Sequence, residues 1–170
     1  MPVRQHRFEL LARALVPGLY RYAYWLARDK TVAEDLVQET LLRAWRSLDQ
    51  LRNENAARQW LITILRREFA RELSKRKDTV DIEQLALADN RASLGGDDTD
   101  RHDVRRAMLK LAPEYREPLV LQVLMGCSTG EIADQLELSQ ATVLTRLYRA
   151  RQQLRELLDI NTARAGEGAA

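Results

Sequence analysis

The sequence is poor in the residues that metal sites, disulfides and turn-rich folds require. Its 170 residues include one cysteine, Cys127, and two widely separated histidines, His6 and His102. A single cysteine cannot form an internal disulfide or supply a zinc site, so we expect no metal and no cofactor. Seven glycines and four prolines are too few for the many turns of an all-β architecture.

Long apolar runs are also absent. No stretch of about 18 apolar residues occurs, so the sequence predicts no membrane span and no stable membrane insertion. The first residues, MPVRQHRFELLARAL, lack the apolar core and cleavage site of a signal peptide. Together with the lone cysteine, these absences predict a protein of the reducing cytoplasm.

The sequence also lacks the residue combinations that are typical of catalytic sites. The sequence shows no nucleophile with an adjacent base, no paired-carboxylate cleft and no glycine-rich phosphate loop. We therefore expect a protein that is not an enzyme.

Charge is present in blocks, although the net charge is only +2. Segment 66–77 holds six basic residues and two acidic ones, whereas segment 78–103 holds eight acidic residues and two basic ones. Segment 140–155 holds four arginines and no acid. This alternation indicates two basic arms that flank an acidic linker.

Apolar periodicity predicts three helices in the first half of the chain. The first covers about 6–28, and we expect Pro17-Gly18 to bend or interrupt it. The second runs from about 32 to 47, where Thr31 and Glu34 have the spacing of a capping box. The third covers about 56–76, after a polar loop.

Three further helices are predicted near the other end of the chain. Pro113 suits the first position of a helix that ends before Gly126. Ser128 and Glu131 form a second capping box for a short helix, 129–136. After a three-residue turn, Ser139 can cap a last helix, 140–158.

The fold class is therefore all-α. We expect two small helical domains joined by a flexible acidic linker, with a helix-turn-helix in the C-terminal domain. The predicted boundaries are 1–77 for the first domain, 78–103 for the linker, 104–160 for the second domain and 161–170 for a frayed tail.

The helix-turn-helix points to duplex DNA, since the second helix of this motif enters the major groove. Polar and cationic side chains fall on its face away from Val143 and Leu147, where an arginine can pair with guanine or grip phosphate. The alternative is a helical hairpin with a solvated basic face.

The helix at 56–76 carries opposed apolar and cationic rows. Leu61, Leu65, Phe69 and Leu73 repeat every four residues, and Arg67, Arg71 and Lys75 follow the same spacing about 200° away. Its basic face can bind a nucleic-acid backbone, with Trp45 and Trp60 as aromatics for stacking. The alternative is a solvated face with core tryptophans. Similarly, the acidic face of the helix at 32–47 is either solvated or a protein-docking surface.

Taken in order, these segments resemble one family. The strings AEDLVQETLLRAW and LAPEYREPLVLQVLMGCSTGEIADQLELSQATVLTRLYRARQQL, separated by a basic helix and an acidic gap, resemble the extracytoplasmic-function class of bacterial sigma factors. The resemblance covers about 8–158. It implies binding to core RNA polymerase (the β′ clamp and the β flap), to promoter DNA and to an anti-sigma factor, with the linker threading toward the active centre.

The resemblance also implies site residues. It assigns core-polymerase binding to Asp35, Gln38, Glu39 and Arg43. It assigns recognition and melting of the −10 element to Asn53, Asn55, Trp60, Arg66, Arg67, Arg71 and Lys75. It assigns recognition of the −35 element to Ser139, Thr142, Thr145, Arg146, Tyr148 and Arg149.

Some positions depart from the family pattern. Arg67 and Arg71 stand where small polar residues are common, and Leu144 replaces a frequent lysine or arginine. These departures leave open the hypothesis of an adaptor that has lost promoter activity. A separate alternative is a stand-alone helix-turn-helix regulator, which would need to dimerise to read two half-sites. Cys127, at the start of the helix-turn-helix, is expected to be a small apolar residue, with a redox switch as the alternative.

Overall fold

Seven α-helices and two short 3₁₀ turns make up the described part of this computed structural model, residues 2–77 and 99–167. The chain divides into two units, one holding the first three α-helices and the other the remaining four. No strand occurs within the described ranges, and the prediction of two small helical domains is confirmed. Most of the predicted linker, residues 78–98, lies outside the described residues, so its character remains a prediction.

The helices follow one another in a simple order. The first unit contains α1 (Pro2–Ala27), α2 (Lys30–Arg46), the 3₁₀ turns Leu48–Gln50 and Glu54–Ala56, and α3 (Ala57–Lys77). The second unit contains α4 (Thr99–Lys110), α5 (Pro113–Met125), α6 (Thr129–Leu136) and α7 (Gln140–Glu167).

Helix α1 continues through Pro17, so the predicted interruption is wrong. A proline inside a helix removes one backbone hydrogen bond and costs about 3 kcal/mol. The residues that follow it are nevertheless buried against α2 and α3, among them Leu19 and Tyr22, both fully buried. Burial of each large apolar side chain contributes about 1.5–3 kcal/mol, which is enough to offset the proline. The helix ends where Arg28 takes a left-handed conformation, with φ 54°.

The cap of α2 also differs from the prediction. Its N-cap is Asp29, whose carboxylate accepts a hydrogen bond from the Val32 N–H at 2.9 Å. The predicted capping box on Thr31 is therefore wrong. Asp29 has the extended backbone that an N-cap needs (φ −139°, ψ 128°), and aspartate caps as well as threonine does. The helix consequently begins before Thr31, which is exposed.

An apolar cluster joins the 3₁₀ turns to the helices around them. It consists of Leu48, Leu51 and Ala57, with partly buried aromatic and aliphatic side chains packed on it, namely Phe8, Leu11, Leu15, Trp45 and Trp60. The rings of Phe8 and Trp45 meet edge to face at 5.3 Å, and the Arg4 guanidinium lies 4.7 Å from the Trp45 ring. These contacts place both tryptophans against the core of the first unit.

The second unit is built as its local signals predict. Pro113 occupies the start of α5, and Gly126 ends this helix in the left-handed conformation, with φ 62°. Both hydrogen bonds of the capping box at Ser128 and Glu131 are present, at 2.8 and 3.2 Å. Ser139 accepts a hydrogen bond from the Thr142 N–H at 3.2 Å and so caps α7.

The boundaries of α4 and α7 lie outside the predicted ones. Helix α4 begins at Thr99, before residue 103, where helical periodicity resumes in the sequence. Helix α7 extends to Glu167, so residues 161–167 are helical and their assignment to a frayed tail is corrected. The segment continues a long helix and contains alanine and arginine, and adding residues to an existing helix is far easier than nucleating a new one.

Candidate functional site

The acidic face of α2 is the first candidate surface. Asp35 and Gln38 are exposed, and the side chain of Glu39 is 41% exposed. Leu42 lies between them on the helix surface, since α-helix geometry places it within about 60° of each. It is 45% exposed, so an apolar side chain lies among these polar ones. The surface therefore has an apolar centre with polar groups around it.

Arg43 differs from the other residues predicted for core binding, because it points toward α3. Its Nε lies 3.0 Å from the Glu39 carboxylate and 2.6 Å from the Glu68 carboxylate. Glu68 is only 8% exposed. Arg43 therefore connects α2 to α3 through ion pairs, in addition to any contact that it makes outside the chain.

An open groove of about 520 Å³ runs between α2 and α3. Its walls carry charges of both signs and two aliphatic side chains. The lining residues are Val32, Asp35, Leu36, Glu39, Arg43, Glu68, Arg71, Glu72, Lys75 and Arg76.

The cationic face of α3 is the second candidate surface. Arg67, Arg71 and Lys75 are all exposed, as their spacing predicts. Arg71 also contacts the Glu68 carboxylate at 3.4 Å and keeps 58% of its side chain exposed. A row of cations separated by one turn of helix can follow the phosphates of a nucleic-acid strand.

Two residues predicted for the −10 element have roles inside the fold. Arg66 donates a hydrogen bond to the Tyr22 hydroxyl at 2.9 Å, which ties α3 to α1. Trp60 is partly buried on the cluster around Leu48, although its position on the helix aligns with Arg67. The structure therefore packs Trp60 on the core of the first unit and turns Arg66 toward α1.

The loop before α3 is held by contacts from α1. Arg7 donates to the Leu51 carbonyl at 2.8 Å and to the Glu54 carboxylate at 2.9 Å. Asn53 accepts a hydrogen bond from the Asn55 N–H at 3.0 Å, which starts the second 3₁₀ turn. Both asparagines are exposed. Their amides are thus presented to solvent from a loop whose backbone is fixed.

The outer face of α7 is the third candidate surface. Val143, Leu147 and Ala150 are buried and hold the helix to the unit. The opposite side carries Thr145 and Arg149, both exposed, beside the half-buried Thr142 and Arg146. An open groove of about 360 Å³ borders this face. It is lined by Glu114, Tyr115, Ala141, Thr142, Thr145, Arg146 and Arg149.

An apolar stripe lies beside these polar residues. Leu144 is 57% exposed and Tyr148 is 66% exposed, one turn further along. Ser139, by contrast, is engaged in the cap of α7 and in a 2.8 Å hydrogen bond with the Thr142 hydroxyl. Among the residues predicted for the −35 element, Ser139 thus has a structural role besides any contact with DNA.

Sequence reasoning missed two residues of the first unit. A leucine is expected in the core from its residue type, and only the exposure of Leu42 in the structure indicates that it belongs to a surface. Glu68 reads as a surface glutamate, but it follows Leu61 by seven residues and Leu65 by three, which is the spacing of the buried face. That spacing is the signal that could have found it.

The described ranges contain neither a candidate metal site nor a candidate membrane span. No group of histidine, cysteine or acidic residues there can hold a metal ion. No helix in those ranges is long and apolar enough to cross a membrane. Cys127 is buried and forms no disulfide, and its burial agrees with the expected small apolar role.

Comparison with known families accounts for both units. Residues 11–79 match Sigma-70 region 2, and residues 101–154 match Sigma-70 region 4. Region 2 contains the α2 and α3 surfaces, and region 4 contains the helix-turn-helix. These two regions define the class as a sigma subunit of RNA polymerase.

Curated relatives identify the family. The chain is 34% identical over 152 residues to the ECF RNA polymerase sigma factor EcfG of Rhodopseudomonas palustris, a match that covers 88% of this chain and 84% of the relative. It is 33% identical over 147 residues to the ECF RNA polymerase sigma factor SigL of Mycobacterium tuberculosis, covering 81% and 80%. The chain belongs to the extracytoplasmic-function family of RNA polymerase sigma factors, and it directs promoter-specific initiation of transcription.

Solved structures of similar proteins agree with this assignment. The sigma factor RpoE of Bartonella quintana, in complex with the anti-sigma factor NepR, superposes with a TM-score of 0.72 at 32% identity, covering 91% of this chain and 98% of that one. CnrH, in complex with the cytosolic domain of CnrY, gives 0.61 at 28% identity, covering 92% and 90%. A stand-alone helix-turn-helix regulator is not supported, because the matches include region 2 as well as the helix-turn-helix.

Proposed function

We propose that this sigma factor uses three separate surfaces for its work. The exposed face of α2 binds core RNA polymerase, the cationic face of α3 with the preceding loop binds and melts the −10 element, and the outer face of α7 reads the −35 element. The protein performs no catalysis itself and acts in the cytoplasm. The observation that carries the proposal is that each of these faces is exposed on a unit that matches the corresponding sigma-70 region.

The α2 face has the composition of a protein-binding surface. Interfaces commonly place apolar side chains at the centre and polar ones at the rim. Leu42 is the apolar centre here, and Asp35, Gln38 and Glu39 surround it. We include Leu42 among the docking residues and assign Arg43 mainly to the bridge with α3.

The α3 face suits a single strand of melted promoter. Extrusion of a base costs a few kcal/mol, and both phosphate contacts and stacking can offset this cost. Arg67, Arg71 and Lys75 supply the positive charge. Asn53 and Asn55 present amide groups with donors and acceptors suited to an unstacked base.

The α7 face suits the major groove of duplex DNA. Threonine and arginine side chains pair with base edges, and arginine pairs best with guanine. Thr142, Thr145, Arg146 and Arg149 carry this assignment. Tyr148, exposed beside them, supplies an apolar ring for contact with the groove.

Regulation by a partner protein completes the proposal. Two relatives have been solved with protein partners, the anti-sigma factor NepR and the cytosolic domain of CnrY. We propose that this chain likewise binds an anti-sigma factor. A protein of that kind would act by covering the polymerase- and DNA-binding faces.

Run-off transcription with purified core polymerase tests the function as a whole. The full-length chain is added to core enzyme on a template that carries its own upstream region. We expect a discrete promoter-specific transcript that requires both proteins. Absence of any such transcript would contradict the proposed role.

Charge reversal on α2 tests the docking surface. We expect Asp35→Lys combined with Glu39→Lys to weaken binding to core polymerase by at least about tenfold, since each reversal places like charge against a complementary face. The control is Glu9→Lys, which reverses the charge of an exposed acid on another helix, α1. It should leave core affinity unchanged.

Two binding assays distinguish a specific loss of polymerase binding from a general loss of function. Affinity for core polymerase is measured by fluorescence anisotropy with labelled sigma factor. Binding of the same full-length variant to a −35 duplex should remain at the wild-type level. Equal core affinity of the double variant and the wild type would refute the docking assignment.

A further inference from the structure

Glu68 is a carboxylate in a core position of the first unit. Its side chain is 8% exposed, and it lies between α2 and α3. One of its oxygens, Oε1, is 2.6 Å from Arg43 Nε on α2 and 3.4 Å from Arg71 Nη1 on α3. Removal of a carboxylate from water is strongly unfavourable unless cations compensate it, and two arginines lie beside Glu68.

The ion pairs continue from Glu68 to the docking face. Arg43 Nε lies 3.0 Å from Glu39 Oε1, and Glu39 keeps 41% of its side chain exposed on α2. Ion pairs therefore connect a buried carboxylate, an arginine and an exposed carboxylate, and they act through charge, since Arg43 Nε makes no aligned hydrogen bond to either carboxylate.

We propose that Glu68 is a positioning residue for polymerase docking, which acts through Arg43 to fix the orientation of Glu39. This inference rests on the proposed role of the α2 face. Glu68 itself is too deeply buried to contact the polymerase. It fixes Arg43 in one orientation, and Arg43 in turn limits the rotamers of Glu39. A docking group that is already oriented loses less conformational freedom on binding, which increases affinity.

The same helix supplies a natural comparison. Glu72 lies one turn after Glu68 and lines the same groove. Its ion pair is with Arg76 of its own helix, at 3.4 Å, and its side chain is 39% exposed. Glu72 therefore shares the residue type and the neighbourhood of Glu68 but lacks the bridge to α2.

A double-mutant cycle on core affinity tests the inference. The full-length variants are Glu68→Gln, Glu39→Gln, the combination of both, and Glu72→Gln as the control. We expect each of the first two to weaken binding to core polymerase about threefold to tenfold. The combination should be no weaker than the weaker of the two single variants, because Glu68 acts only through Glu39. Glu72→Gln should bind like the wild type.

Non-additivity separates positioning from a merely structural role. If Glu68 only stabilised the fold, its substitution would weaken core binding by the same factor in the wild-type and Glu39→Gln backgrounds. Thermal unfolding of each variant is measured as well, and the affinities are compared at a temperature where all are folded. Should Glu68→Gln fail to fold, Glu68→Asp keeps the charge but shortens its reach, and the same cycle applies.

The outcomes distinguish the two proposals. If Glu39→Gln leaves core affinity unchanged, the role proposed for Glu39 in docking is overturned, and the positioning role of Glu68 falls with it. If Glu39→Gln weakens binding but Glu68→Gln does not, or if the two effects multiply, only the inference about Glu68 is overturned. A decrease in affinity with Glu72→Gln equal to that with Glu68→Gln would also overturn it.

Discussion

Leu144 and Tyr148 form an apolar stripe on the helix proposed to read duplex DNA. Both side chains are more than half exposed, and segment 140–155 contains four arginines and no acid. Because cations flank this stripe, it suits contact with a negatively charged nucleic acid better than contact with a positively charged protein. Apolar side chains in the major groove contact the methyl group of thymine. We therefore expect Leu144 to contribute base preference where a cation would contribute general affinity.

The first prediction concerns the charge at this position. Leu144→Arg should add one phosphate contact, so the slope of log K against log salt for a −35 duplex should steepen by about 0.9. Tighter binding at low salt should accompany weaker discrimination between duplexes that differ at one thymine. Fluorescence anisotropy at several salt concentrations measures both.

Val123→Arg is the matched control for that substitution. Val123 is 67% exposed on α5, outside the proposed DNA face. It adds the same charge to the same unit, so it corrects for the change in net charge. Equal slopes for the two variants would contradict the placement of Leu144 in the groove.

The second prediction compares an exposed leucine with a buried isoleucine in the first unit. Leu42→Ala should change the free energy of unfolding by less than about 0.5 kcal/mol, because Leu42 is 45% exposed, but it should weaken core binding. Ile62→Ala, at a fully buried position, should cost about 2–5 kcal/mol. Urea denaturation and core affinity measure the two effects. Reduced stability with unchanged core affinity in Leu42→Ala would exclude Leu42 from the docking surface.

At the scale of single elements, the helix-turn-helix depends on residues in the left-handed conformation. Gly126 ends α5 with φ 62°, and Glu137 ends α6 with φ 55°. Glycine adopts this conformation without strain, whereas other residues lose about 1–2 kcal/mol there. The turn between α6 and α7 therefore carries strain that the turn before α6 does not.

The third prediction uses this difference. Glu137→Gly should stabilise the second unit by about 0.5–1 kcal/mol, because the relief of strain exceeds the extra entropy that glycine brings to the unfolded chain. Gly126→Ala should destabilise the unit by about 1 kcal/mol for the opposite reason. Thermal and urea denaturation measure both. A neutral or destabilising effect of Glu137→Gly would show that the Glu137 side chain contributes more than its backbone strain costs.

The fourth prediction concerns α3 as an element. Substitution of Arg67, Arg71 and Lys75 by glutamine should lower the salt slope for a −10 single strand by up to about 2, at about 0.7 for each phosphate that is no longer neutralised. Open-complex formation should fall with it. The control is Arg13→Gln with Arg21→Gln, two exposed cations on α1. If the salt slope changed by the same amount per removed charge in the α3 variant and in the α1 control, the α3 cations would contribute only through the net charge of the protein.

At the scale of the whole molecule, the two surfaces proposed to bind DNA lie in different units of one chain. A protein that binds two sites at once gains affinity only if the geometry lets both contacts form together. Both units are expected to engage one promoter while the polymerase holds them. The spacing between the two promoter elements should therefore matter as much as the elements themselves.

The fifth prediction follows from that requirement. Insertion of about 5 base pairs between the −35 and −10 elements turns one element by about half a helical turn relative to the other. Run-off transcription should fall strongly, while the affinity of the free sigma factor for each separate element stays the same. A compensating insertion of a full turn serves as the control for length. Unchanged transcription after the half-turn insertion would contradict simultaneous contact.

Much of the second unit was predictable because its signals are local. The capping box joins residues 128 and 131, and the cap of α7 joins residues 139 and 142. Hydrogen bonds over three residues depend little on distant parts of the chain. The exposure of Arg67, Arg71 and Lys75 was likewise predictable, because helical spacing alone determines which side of α3 they share.

The apolar row of α3 shows where sequence periodicity was insufficient. A repeat of four residues advances about 40° per step around a helix, so Leu73 has turned about 120° away from Leu61. The structure accordingly leaves Leu73 37% exposed and buries Glu68 in line with Leu61 and Leu65. Two arginines compensate the glutamate at that position, Arg71 of the same helix and Arg43 of another, and periodicity within α3 cannot indicate the second.

The sequence by itself determined the helical class, the helix-turn-helix and the order of segments that marks the family, since these follow from spacing, caps and composition. Only the tertiary structure decided that α1 continues through Pro17 and that Arg66 pairs with Tyr22, 44 residues away. It alone joined Glu39 to Glu68 through Arg43. The physical reason is common to all three. The stabilising free energy comes from a contact between elements that are distant in the chain, and no local sequence pattern indicates such a contact.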